Sequence, residues 1–192
     1  MNAHGAAERA TEAYLSGNTR VADQEWTRAR AEVARTGRPE LLARVELMRC
    51  AAQVASLQLQ PCTAGEPLRA DAAPPEQAYA DYLAGRVSQQ QVPLLPEAQR
   101  KVAAAGEAAT LASIEDPLSR LVAAGVLFQA GRASPAVVAA ATETASAQGW
   151  RRPLLAWLLL QVQRAEAAGD AEAAAALRRR VGIVEQGAAR VK

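Results

Sequence analysis

Histidine is almost missing from this 192-residue chain: His4 is the only one. That removes the ordinary Ser-His-Asp and Cys-His routes to an activated nucleophile, and most histidine-based metal sites. Aromatic residues are scarce, at 4%. Strand-like runs of Val, Ile, Thr and aromatics are missing, which argues against a sheet. Long apolar runs are also missing. The strongest, Leu154 to Leu160, closes at Gln161, Gln163 and Arg164, far short of the roughly 20 residues a bilayer requires. Neither charge sign dominates: 22 basic and 20 acidic side chains leave +2, and no half of the chain carries the basic excess expected of a nucleic-acid binder. Phosphate-cradling glycine motifs are absent, so no nucleotide cofactor is expected. Lysine is nearly absent too, and almost every base is arginine.

What is present is helix-forming sequence. Half the residues are hydrophobic, and alanine supplies the largest share. Alanine is the best helix former and a poor filler of volume, which suits closely packed helices. Gly131, Gly149 and Gly169 each end a helical stretch. Each is followed by a restart signal: Ser134-Pro135, Arg152-Pro153 and Asp170. This punctuation predicts an all-α fold of antiparallel helical hairpins, stacked as a compact bundle or short solenoid.

The spacing predicts a flexible N-terminus over 1–7, a single helical domain over 8–186 and a frayed tail over 187–192. Helices are expected over 8–16, 20–36, 39 to about 58, 75–84, 97–105, 118–130, 135–148, 154–168 and 171–186, with a further turn or two in 108–115. The helix from Pro39 has the strongest pattern: Leu41, Val45, Met48, Ala52, Ala55 and Leu59 form one row, and Leu47, Cys50, Val54 and Leu57 lie beside it. Such a wide stripe implies burial on two sides. A proline-rich irregular segment spans about 60–97, where Pro93-Leu94-Leu95-Pro96 is expected to tuck both leucines onto the body. Gly125 marks a close helix crossing, and the helix from Leu154 is expected to be central.

Cys50 and Cys62 are the only cysteines. A helix ending between them and folding back brings them together as a disulfide that clips the proline-rich loop, and a disulfide implies an oxidising compartment. Reduced thiols, with Cys50 as a small core residue, are the alternative. Two cysteines with no nearby histidine do not make four ligands, so no metal site is expected.

Over 116–186, and less fully over 8–59, the small turn residues and aliphatic faces resemble tetratricopeptide-type hairpins. Gly131 and Gly169 lie 38 positions apart, against 34 for that repeat, and its Trp-Leu-Gly-Tyr spacing is not met. The resemblance therefore implies architecture and no binding residues. The stretches Arg44-Val-Glu-Leu-Met-Arg-Cys50 and Ala147-Gln-Gly-Trp-Arg-Arg-Pro153 are similar to proteobacterial envelope lipoproteins. That implies a periplasmic setting, with any export signal or lipid anchor lying outside these residues.

The expectation is a non-enzymatic scaffold that binds another envelope protein, without nucleic acid, cofactor or metal, touching a membrane only through such an anchor. Tyr79, Tyr82, Trp150, Arg151 and Arg152 are the candidate contacts, while Arg178, Arg179 and Arg180 read as a solvated face. Trp26 and Trp157 read as core. A second reading is a cell-wall glycan enzyme using a carboxylate pair, for which Glu76 and Asp81 beside Tyr79 and Tyr82 are the nearest candidates. A third is a cytosolic adaptor with reduced thiols.

Overall fold

The computed structural model describes residues 3–105 and 108–189. Ten α-helices account for most of them, and no strand occurs among the described residues. In chain order they are α1 (Ala3–Leu15), α2 (Thr19–Ala34), α3 (Pro39–Ala55), α4 (Pro74–Leu83), α5 (Glu97–Ala105), α6 (Ala108–Ala112), α7 (Pro117–Gln129), α8 (Pro135–Gln148), α9 (Arg151–Ala167) and α10 (Ala171–Ala189). Two 3-10 segments, Thr63–Asp71 and Val92–Leu94, lie in the proline-rich region. The protein is all-α. No helix among the described residues is long and apolar enough to cross a membrane.

The expected punctuation operates. Gly131, Gly149 and Gly169 have φ of 70°, 68° and 73°, and Gly149 is the left-handed C-cap of α8, a conformation that costs a residue with a Cβ. The restarts are made by side chains. Asp116 accepts from the Ser119 amide at 2.7 Å, Ser134 from Val137 at 3.3 Å, and Asp170 from Ala173 at 2.9 Å. At α9 the N-cap is Trp150, with no side-chain cap bond. Pro153 sits in the first turn, where its missing N–H has no intrahelical acceptor.

α3 joins two cores. Its Val45 belongs to a small core with Ala7, Ala10, Trp26 and Val33 from α1 and α2. Its Cys50, Ala51, Val54 and Ala55 belong to a larger one built on α7, α8 and α9. The two-sided stripe therefore buries both ways. Gly125 on α7 crosses α3 so closely that a Cβ there would lie 2.3 Å from the Val54 carbonyl oxygen. Trp157, fully buried on α9, donates to the Ala55 carbonyl at 3.0 Å and so supplies one of the acceptor groups left open at the end of α3 with a partner.

Three boundaries and one burial differ from expectation. Of the N-terminus expected over 1–7, residues 3–7 are helical, with Ala6 and Ala7 buried against α2, and 1–2 lie outside the described residues. α3 stops at Ala55, earlier than expected, and Leu57 turns the chain with φ of 57°. Helix α10 continues through 187–189, and 190–192 lie outside the described residues. Only Leu95 is tucked in, 1% exposed, while Leu94 remains 41% exposed.

Candidate functional site

The segment after α3 cannot continue the helix, since Leu57 reverses the chain and Pro61 follows. The chain folds back along α3 and brings Cys62 to disulfide distance of Cys50, with Cα atoms 5.9 Å apart. The 3-10 segment Thr63–Asp71 then lies over α3 as a strap that buries none of its own residues. It is held at its edges. Cys62 anchors the start. At the far end Arg69 donates to both oxygens of Asp81 on α4, at 2.9 and 3.0 Å. Gln77 donates to the Arg69 and Ala72 carbonyls at 3.2 and 2.8 Å. Burial pushes the Asp81 carboxyl up, but the hydrogen bonds from Arg69 and Gln91 and the charges of Arg69 and Arg86 outweigh it. Asp81 ends below its ordinary range, and its hydrogen bond to Arg69 raises the guanidinium in turn.

Between α3, the strap and α4 lies a cleft of about 180 Å³. Its apolar lining comes from Leu47, Val54, Leu59, Leu83 and the cysteine pair. Its polar lining combines five glutamines with five charged side chains, among them Glu46, which is 2% exposed and paired with Arg30 of α2. A shallower cleft of about 490 Å³ opens on the other side of Glu76, over Met48, Tyr79 and Leu94, with Arg44 and Arg100 at its edge. Leu47 and Glu76 line both, so the two clefts adjoin across these side chains and together make the concave face called the groove below. Arg44 donates to Glu76 Oε1 at 2.6 Å, while Glu76 Oε2 is buried without a hydrogen bond.

The five predicted contacts fall in two places. Tyr79 lines the open cleft. Its neighbour Tyr82, with ring centroids 6.1 Å apart, is 1% exposed and donates to Gln99 at 2.7 Å. Tyr82 is a core residue, not a surface contact. Burial raises both phenols, helped by Asp116 at Tyr79 and by Tyr79 at Tyr82. Trp150 is also buried, donating to Glu12 at 3.0 Å. Arg152 stacks on the Tyr14 ring at 4.2 Å and donates to the Tyr14 carbonyl and Thr19 hydroxyl, both at 2.7 Å. Arg151 reaches the same turn, its guanidinium lying over Gly17. This trio fastens α9 to the α1–α2 turn, because an arginine fork suits clustered carbonyl and hydroxyl acceptors.

The carboxylates Glu76 and Asp81 are not brought to one cleft. Glu76 faces the groove and is held by Arg44, whereas Asp81 does not line it and is held by Arg69. His4 lies on α1, paired with Glu8 at 3.0 Å. Arg178 pairs with Glu166, and Arg180 lies 3.8 Å from Glu143. Among the described residues no group of three or more His, Cys, Asp or Glu is arranged to hold a metal ion. Sequence reasoning missed Gln53, Gln58, Gln60, Met48 and Leu94 as groove residues. The run of glutamines around the helix end was the available signal.

No protein-family model, curated protein or solved structure matches this chain.

Proposed function

We propose that this chain is an interaction module of the bacterial cell envelope, a helical-hairpin scaffold that holds another envelope protein in the groove between α3, the strap and α4. The groove is the observation that carries the reading: two clefts meet at Leu47 and Glu76, and Leu94 stands 41% exposed at the rim beside Met48 and Tyr79. Concave surfaces with apolar floors and a few polar groups are where proteins receive partners. The cysteine pair suits an oxidising compartment such as the periplasm, in keeping with the lipoprotein and hairpin resemblances. Tyr79 remains a contact in this reading, while Tyr82 supports it from behind.

A photo-crosslinking residue placed at Leu94, at Gln60 and, as a control, at Glu172 on α10 tests this in intact bacterial envelopes. The same protein adduct is expected from the first two positions and not from the third. Equal adducts from all three positions, or none, would remove the reading. Titration of the unreduced, denatured protein should find no free thiol; two reactive thiols would argue against the envelope setting.

A further inference from the structure

The cleft between α3, the strap and α4 is lined by five glutamines, Gln53, Gln58, Gln60, Gln77 and Gln129. The side-chain amides of the first three make no hydrogen bond among the described residues. Gln77 and Gln129 each donate through Nε2 to backbone carbonyls, which leaves their Oε1 atoms as acceptors. Each free amide offers the donor and acceptor pair that a peptide unit itself carries. The charges around the cleft balance. Arg30 holds Glu46, Arg44 holds Glu76, and Arg69 holds Asp81 with Arg86 at 3.9 Å from it; Glu66 on the cleft wall makes the acids four against four arginines by count. No aromatic ring lines the cleft, so a sugar ring would find no flat apolar face to stack on. At about 180 Å³ it is smaller than the roughly 300–1,000 Å³ of drug-sized pockets. Small apolar side chains would meet Leu47, Val54 and Leu83.

We infer, resting on the interaction role proposed above, that this cleft takes an uncharged, extended stretch of peptide main chain with small side chains, read by the glutamine amides. Because the ligand and the cleft are both neutral, affinity is independent of salt.

The probe is N-acetyl-trialanine amide, titrated into the oxidised full-length chain while nuclear magnetic resonance follows the glutamine side-chain NH₂ signals, at low and at high salt. N-acetylglucosamine, N-acetyl-lysine amide and N-acetyl-glutamate amide are run in parallel. The expected result is saturable movement of the Gln53, Gln58 and Gln60 signals with the alanine peptide, at one midpoint in both salts. Gln58 and Gln60 are exposed, so replacing both with alanine leaves the fold intact and should weaken binding about tenfold. The assignment is overturned if the alanine peptide moves nothing, if a charged probe binds more tightly and salt abolishes it, or if the sugar saturates the site instead. Crosslinks from Leu94 that persist while the alanine peptide fails would sink this assignment alone. A bound peptide without any envelope adduct would sink the interaction role and leave the site.

Discussion

Gly125 leaves almost no room for change. A methyl group there would sit 2.3 Å from the Val54 carbonyl oxygen and 2.9 Å from its side chain, so α7 and α3 would have to separate. Gly125→Ala is expected to cost at least about 2 kcal/mol, a fall in Tm of roughly 4–8 °C for a chain of this length, read by thermal circular dichroism. An unchanged Tm would mean the crossing is looser than drawn. Tyr82 makes a different case. Its hydroxyl serves Gln99, itself 1% exposed and also donating to the Ser119 carbonyl at 3.0 Å. Tyr82→Phe leaves the Gln99 oxygen buried without a partner, at about 1–3 kcal/mol. Urea unfolding should show the lower midpoint with an unchanged slope.

The strap buries none of its own side chains, so it depends on the disulfide at one end and the Arg69–Asp81 pair at the other. Linking Cys50 to Cys62 closes a short loop, and replacing both with alanine is expected to cost about 2–3 kcal/mol. Proteolytic nicking should appear first within Thr63–Asp71. If cleavage begins elsewhere, the strap is not the weak element. Its other end depends on pH. Asp81 lies below its ordinary range in the fold, so its contribution is present above the ordinary carboxylate range and fades as pH falls through the depressed value. Hydrogen exchange in the strap should quicken as pH drops from neutral to about 3, after correction for the intrinsic rate. Asp81→Asn should show fast exchange already at neutral pH and little further change with acid. A wild-type strap that stays protected in acid would discount the Arg69–Asp81 pair.

As one body the molecule is two cores sharing α3, and the smaller depends on a fastening made far away in sequence. Arg152 and Trp150 on α9 hold the α1–α2 turn through the Tyr14 ring, the Tyr14 carbonyl, Thr19 and Glu12. Arg152→Ala is expected to cost about 1–3 kcal/mol and to act unevenly. Native-state hydrogen exchange should rise in α1 and α2 while α7, α8 and α9 hold their protection. A uniform rise would mean the molecule unfolds as a single unit.

The all-helical class, most helix boundaries, the Gly125 crossing and the pairing distance of Cys50 and Cys62 could be read from residue order, because caps, glycine stops and apolar spacing act within a few positions of the chain. Local pattern also marked Tyr82, Trp150 and Arg152 as distinctive. It could not say which way they face, since that depends on Gln99, Glu12 and Tyr14, each brought near by packing between separate helices. The groove was hidden for the same reason. Three of its glutamines cluster at 53–60, but Gln77 comes from α4 and Gln129 from α7, so no short window of sequence contains the whole wall. Short-range chemistry suffices for helices and their ends; a concave surface exists only after long-range contacts have chosen which side chains share a wall.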